Sequence, residues 1–380
     1  MDIQELRREI DGIDAQLLPL FCQRMEIAAQ VADYKKQNGL PIYVPGRERE
    51  ILGRVAAQAG ENMADYARIL YNTLFELSRA YQGSRNSQPS PLQDRVLTAL
   101  DKTPPLFPKT ATVACQGVEG AFSQIAAERI FHDAMVLYFK DFSGVFQAVE
   151  QGLCRYGILP IENSTAGSVN QVYDGMVQHH FSIVRSLRLK VDHNLLAKEG
   201  SKLSGIREIF SHEQAIRQCS EFLSANPDIK VTPVENTAVA AELVARSPRP
   251  DVAALCSHAC EALYGLRCLI PNVQDQGNNH TRFICISRDL EIYPGSDRTS
   301  IRLVLDHKPG TLSKVLSRLY VRGINVTKLE SRPIPDRDFE FQFYFDLETS
   351  VYSPEFAQML CDLEGLCQEF QYLGSYREVV

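Results

Sequence analysis

Tyr156-Gly157-Ile158-Leu159-Pro160-Ile161-Glu162-Asn163-Ser164-Thr165 is a short, mostly apolar run that ends abruptly in four polar residues. Its length and composition predict a buried strand. The polar end matters because open α/β domains bind ligands beyond the carboxyl ends of their strands. The same pattern extends in both directions. Ala111-Thr112-Val113-Ala114-Cys115 reads as a buried strand and Phe122 to Phe131 as a helix. Ile183 to Val191, Glu208-Ile209-Phe210 and Arg282 to Ser287 are further strands. Alternation from Thr110 to about Arg288 predicts an α/β domain long enough for two lobes.

The flanks differ. Ile3, Leu6, Ile10, Ile13, Leu17, Leu20, Ile27 and Val31 recur at helical spacing until Asn38-Gly39-Leu40-Pro41 stops the pattern. Further helices are expected from Arg47 to about Gln58 and from about Met63 to Tyr81. One helix is too long to bury its apolar face alone, which predicts an all-α three-helix module that dimerises. The stretch from Gly83 to Pro91 and Thr103-Pro104-Pro105 read as linker, with room for a short helix around Leu92 to Leu100. From Ser300 onward, strand and helix patterns follow the order βαββαβ, the ferredoxin-like plan. The expected division is 1–88 helical, 89–108 linker, 109–289 α/β and 298–380 α+β.

The 380 residues carry 40 Lys+Arg against 47 Asp+Glu, a net charge of −7, so a nucleic-acid partner is not expected. No run of about 18 apolar residues suggests a membrane span. The start, Met1-Asp2-Ile3-Gln4-Glu5, lacks the basic-then-apolar order of a signal peptide. Ten scattered cysteines without a Cys-x-x-Cys pair fit reduced thiols and a cytoplasmic location. His179-His180 is a poor metal pair, because adjacent side chains diverge, and no Gly-x-Gly-x-x-Gly follows a strand. No metal or cofactor is expected.

Arg24 and Lys35 lie eleven residues apart, on one helix face roughly 16 Å apart along the axis. Arg7 is roughly 25 Å from Arg24, too far to clamp the same small molecule except from a partner's antiparallel helix. Ser78 and Gln82 are neighbours at i and i+4, and Arg47-Glu48 open the second helix. A solvated charged face is the plain alternative. Ile3-x-x-Leu6-Arg7-x-x-Ile10-x-x-Ile13-Asp14, with these residues in order, resembles the all-helical chorismate mutases. The resemblance implies a dimer in which Arg7 completes the other protomer's site. Arginines would hold the two carboxylates of chorismate in the reactive conformer. Lys35 and Gln82 would donate to the ether oxygen as the C–O bond breaks, and Glu48 would accept from the substrate hydroxyl. Val44 stands where relatives often carry Asp.

In the middle region, Gly117-x-x-Gly120-x-Phe122-Ser123, Pro160-Ile161-Glu162-Asn163-Ser164, Ser211-His212, Gln218, Glu235-Asn236-Thr237 and Thr281-Arg282-Phe283 are each compatible with turn and capping chemistry. Together they resemble prephenate dehydratase, and imply a periplasmic-binding-protein-like fold with its site between two lobes. Thr281 would serve the departing ring hydroxyl with help from its surroundings, Asn163, Ser164, Ser211 and Gln218 would position prephenate, and Arg282 would hold a carboxylate. Val118 and Ala121 depart from the usual Pro and Thr or Ser.

Asp306-His307-Lys308-Pro309-Gly310-Thr311-Leu312 enters a helix, and Glu330-Ser331-Arg332-Pro333 ends the next strand. The pair resembles an ACT regulatory domain. It implies L-phenylalanine binding near Gly310, Thr311, Leu312, Glu330 and Ser331. The whole chain thus resembles the bifunctional chorismate mutase–prephenate dehydratases of phenylalanine biosynthesis, as a homodimer or higher oligomer. An arogenate dehydratase, or an amino-acid sensor without chemistry, stays open as a second class.

Overall fold

The computed structural model describes residues 2–40, 44–86, 90–334, 337 and 340–380. The chain forms two compact units, residues 1–97 with 302–371, and residues 98–301 with 372–380.

The first unit begins with helices Ile3–Gln37, Pro45–Ala59 and Ala64–Asn86. A capping box starts the long helix, with the Asp2 backbone N–H donating to Glu5 Oε2 at 3.0 Å. Ala29 and Ala32 are buried, whereas Ile10, Ile13, Leu17 and Leu20 each remain more than half exposed. Small residues let this helix approach its neighbours, and its large apolar side chains stay in solvent on a single chain. Residues 83–86, read above as linker, instead continue the third helix. Gly83 costs a helix about 1 kcal/mol, too little to end it when no proline comes before Pro89. Residues 87–89 lie outside the described residues. The linker region also carries a helix, Pro91–Lys102.

The C-terminal domain runs Arg298–Val304, Thr311–Val321, Asn325–Pro333, Phe341–Glu348, Pro354–Glu364 and Glu369–Tyr376, which is the expected βαββαβ order. In its sheet the strands lie in the order Asn325–Pro333, Phe341–Glu348, Arg298–Val304, Glu369–Tyr376. Each helix thus crosses over before the chain returns to the sheet.

The second unit has two lobes. The first is a seven-stranded sheet in the order Glu378–Val379, Ser182–Lys190, His280–Ser287, Tyr156–Asn163, Thr110–Gln116, Asp133–Phe139, with Gly167–Ser168 paired to Tyr156–Asn163. The chain's last strand therefore joins this sheet. The second lobe orders Arg267–Ile270, Asn194–Ala197, Val252–Cys256, Glu208–His212 and Lys230–Val234. Tyr156, Ile158, Val113 and Cys285 are fully buried in the first core, and Leu195, Ile209 and Leu255 in the second. Each buried aliphatic side chain contributes about 1.5–3 kcal/mol.

Pro160 lies inside a central strand, where a proline removes a ladder hydrogen bond. The partner strand shifts register there, between Arg282 and Phe283, with Phe283 opposite Pro160. This irregularity begins one residue past Thr281, which pairs with Asn163. Gly120 (φ +88°) packs against the second lobe. A side chain there would crowd Leu263 Cδ2 and Cys260 Sγ, and its carbonyl accepts from Ser257 Oγ at 3.1 Å.

Candidate functional site

Between the two lobes lies a cleft of about 480 Å³, lined by Asn163, Gln218 and Thr281 among the expected residues. Asn163 is 6% exposed and Thr281 9%. The Asn163 side chain has a fixed orientation. Its Oδ1 accepts from the N–H groups of Thr165 (3.1 Å) and Ala166 (2.9 Å) and from Thr165 Oγ1 (2.7 Å). Backbone N–H groups can only donate, so Nδ2 must point the other way. It donates to Thr281 Oγ1 at 2.9 Å and to Asn279 Oδ1 at 2.8 Å. Thr281 oxygen is therefore an acceptor toward Asn163, and its own proton is left to be donated elsewhere. A hydroxyl that accepts a hydrogen bond is a better donor in turn.

Gln218 ends helix Glu213–Gln218 of the second lobe and reaches across to the first. Its Nε2 donates to Thr165 Oγ1 at 2.8 Å, and its Oε1 accepts from Asn279 Nδ2 at 3.1 Å. His193, which no sequence motif marks, completes this network, with Nε2 2.9 Å from Gln218 Oε1. Because Gln218 Oε1 is an acceptor, His193 carries its proton on Nε2. His193 is 3% exposed, and its Nδ1 has no hydrogen-bond partner among the described residues. Burial holds its pKa below the ordinary histidine value, the hydrogen bond to Gln218 acting in the opposite direction. His212 lines the same cleft, and burial lowers its pKa too.

Three other expected residues do not line the cleft. Ser211 is fully buried, and its hydroxyl donates to the Leu255 carbonyl at 2.7 Å. Ser164 ties the 278–280 turn, donating to Asn278 O at 3.1 Å and accepting from His280 N at 3.0 Å. Arg282 follows Thr281 in a strand, so its side chain leaves the opposite face of the sheet. There it donates to Tyr376 OH at 3.1 Å and lies 3.8 Å from Glu162 Oε2 and 4.0 Å from Glu378 Oε1. Phe122, Ser123, Glu235 and Thr237 line the cleft. Asn236 does so too, while capping helix Thr237–Arg246 through Val239 N at 2.8 Å. Ala121 precedes helix Phe122–Ile130 without a side-chain cap. His179 stacks on Phe146, and His180 closes its helix in the left-handed region.

On the N-terminal helices, Arg24 Nη1 donates to Ser78 Oγ at 2.6 Å, and its guanidinium lies 5.8 Å from the Phe75 ring. Ser78 and Gln82 are buried and Lys35 is half-buried. Glu48 pairs with Arg79, which also holds Glu76. Arg47 is paired with Glu50 at 2.8 Å in solvent, and Arg7 is exposed. Val44 precedes the second helix without a side-chain cap.

In the C-terminal domain, Gly310 caps helix Thr311–Val321 with φ +85°. Thr311 Oγ1 donates toward the carbonyls of Asp306 (2.9 Å) and Lys308 (3.0 Å). Thr311 lines a groove with Pro309 and Phe343. Leu312 is half-buried. Glu330 and Ser331 lie on the edge strand Asn325–Pro333, outside that groove, with Glu330 3.2 Å from Lys328 and Ser331 opposite Phe343.

Two family descriptions match the chain, chorismate mutase type II over residues 6–83 and prephenate dehydratase over residues 113–291. The bifunctional chorismate mutase/prephenate dehydratase of Escherichia coli (strain K12) is 33% identical over 379 residues, covering 98% of this chain and 95% of that one. A prephenate dehydratase from Arthrobacter aurescens, solved in complex with L-Phe, superposes with a TM-score of 0.64 at 27% identity, over 70% of this chain and 89% of that one. A structure described as a novel type of quorum quenching acylase gives 0.65 at 30% identity, over 70% and 98%. No helix among the described residues is long and apolar enough to cross a membrane. With both catalytic regions matched and the relationship running almost end to end, the chain belongs to the bifunctional chorismate mutase/prephenate dehydratase family.

Proposed function

We propose that the N-terminal helices rearrange chorismate to prephenate, and that the interlobe cleft converts prephenate to phenylpyruvate under feedback control by L-phenylalanine. The observation that carries the dehydratase assignment is the buried Asn163–Thr281 hydrogen bond on the cleft wall.

In prephenate, the C–C bond to the ring carboxylate breaks and releases CO₂. Its electron pair moves into the ring and expels the ring hydroxyl, which must gain a proton to leave as water. Thr281, polarised by Asn163, donates its hydrogen bond to that hydroxyl. Asn163 and Gln218 hold the wall on which the substrate lies. The exposed Ser164 and the inward-turned Ser211 and Arg282 support this wall from behind.

On the helices, Arg24 and Arg47 face the substrate carboxylates, Lys35 and Gln82 the ether oxygen, and Glu48 the hydroxyl. Arg7 serves the partner's site in a homodimer. The exposed Ile10, Ile13, Leu17 and Leu20 support that assembly, since such a face needs a partner. Residues 298–380 act as an ACT regulatory domain, with L-phenylalanine near Gly310, Thr311, Leu312, Glu330 and Ser331. The βαββαβ order and the relative's L-Phe complex support this reading.

The test is a time course from chorismate with purified chain, with and without L-phenylalanine. Phenylpyruvate should follow prephenate and be suppressed by phenylalanine. Prephenate accumulating alone would remove the dehydratase assignment for this substrate and make arogenate the next one to try.

A further inference from the structure

Helices Pro45–Ala59 and Ala64–Asn86 and the first helix of the C-terminal domain, Thr311–Val321, enclose a groove of about 750 Å³. Arg318 stands in its wall, 7% exposed, and its Nε–H has no hydrogen-bond partner among the described residues. Neither of the carboxylates near it is paired with it. Asp362 pairs with Arg322, and Glu76 uses Oε1 for Arg79 while its buried Oε2 has no hydrogen-bond partner among the described residues. A guanidinium remains charged at any physiological pH, and a buried charge without a paired anion is costly. Burial weakens the hold on its proton, and Asp362 and Glu76 offset this from a distance. Four cationic side chains line the groove against two carboxylates, Glu48 and Glu76, and Leu52 and Leu77 give it apolar walls.

We propose that this groove binds a small carboxylate with an apolar, ring-bearing body, its carboxylate on Arg318 and its ring on Leu52 and Leu77. Leu312, Glu330 and Ser331, expected at the effector site, do not line it, and neither does Thr311; Gly310 alone is shared. Occupancy would reach the mutase helices by a short route. Arg79 bridges Glu76 and Glu48, so an anion arriving beside it draws Arg79 away from Glu48. That consequence rests on Glu48 serving the mutase reaction; the binding itself does not.

The experiment is calorimetric titration of the full chain with 3-phenylpropanoate, phenylpyruvate and L-phenylalanine, with 2-phenylethylamine as the ring without a carboxylate. Arg318→Met removes the charge at similar volume, Arg318→Lys restores a cation, and Ser317→Trp fills the groove without touching Arg318. The expected result is a carboxylate-dependent binding event that survives Glu330→Ala. It should weaken about tenfold or more in Arg318→Met and Ser317→Trp, and far less in Arg318→Lys. Basal mutase and dehydratase rates of the Arg318 and Ser317 variants should stay near wild type. The keto acid binding more tightly would identify reaction product as the source, the amino acid end product. Wild-type affinity in both Arg318→Met and Ser317→Trp would overturn the proposal. So would a single binding event that Glu330→Ala abolishes. If Arg318→Met fails to fold, Ser317→Trp decides alone.

Discussion

In the dehydratase cleft, Asn163 is 6% exposed, and its amide makes hydrogen bonds on both sides before any substrate arrives. On the mutase helices, Arg24 is already anchored on Ser78, yet Arg7 is exposed and Arg47 is paired with Glu50 in solvent. One region has its polar groups arranged within a single chain. The other has half of them arranged and the rest waiting at a surface that also exposes Ile10, Ile13, Leu17 and Leu20. Preorganisation is paid for during folding in the first case and during association in the second. The two activities should therefore respond differently to substitution, to mixing of chains and to pH.

The largest difference is expected at Thr281. Replacing it with Ala should lower the dehydratase kcat by about 10²–10⁴-fold and leave the mutase rate unchanged. Thr281→Ser should recover most of the loss, because the hydroxyl and its bond from Asn163 return. Steady-state kinetics of both reactions on the same preparations would check this. A dehydratase rate in Thr281→Ala within a few-fold of wild type would end the role assigned to this hydroxyl.

The second test addresses the half-built region. Arg7→Ala and Arg24→Ala should each cost the mutase about 10²-fold or more, since each removes an oriented cation from one site. If the two residues meet across a dimer, co-expressed Arg7→Ala and Arg24→Ala chains will form mixed dimers with one site carrying both changes and one carrying neither. Random pairing then restores about a quarter of wild-type mutase activity. No recovery in mixed dimers separated from the parents would show that Arg7 does not serve the partner's site.

These contrasts bear on what could be read from residues alone. The long helix was legible because eight apolar residues keep one spacing over about thirty positions. Its neighbour's end was not, since Gly83-Ser84-Arg85-Asn86 looks like linker yet contains nothing that forbids a helix. The resemblance implies a site role for Thr281 and Arg282 alike, although adjacent residues in a strand face opposite ways. The period of two was available in the sequence and decides between them; Arg282 instead meets Tyr376 and Glu378. Ser211 fails for a similar reason, its hydroxyl turned inward onto Leu255. The strand Val252–Cys256, Val-Ala-Ala-Leu-Cys, is ambiguous in sequence because a short apolar run reads equally as buried helix. His193 had no signal at all. Its value comes from Gln218, twenty-five residues on, and only the folded chain brings the two together.

The smallest expected effect comes from that histidine. The first histidine in the sequence is His132, so the three N-terminal helices hold no group of this kind, whereas the cleft holds His193 and His212. Burial lowers both pKa values in the folded chain. Below the ordinary histidine pKa of about 6.5, the unfolded chain binds protons that the folded chain refuses. Stability must therefore fall as the pH drops from there, until the depressed folded pKa is reached and the loss stops growing. For His193 the slope cannot exceed about 1.4 kcal/mol per pH unit. His212, only half-buried, adds less. Protonation also places a second donor at Nδ1, which faces no acceptor among the described residues, so the cleft network would loosen as it charges. His193→Gln keeps a donor near the position of Nε2 but does not titrate. Denaturant melts from about pH 5.5 to 7.5 should give a shallower pH dependence for His193→Gln than for wild type, with little difference at the upper end. Parallel curves would mean that His193 titrates alike in both states and that the cleft, for all its burial, is no more sensitive to acid than the histidine-free N-terminal helices.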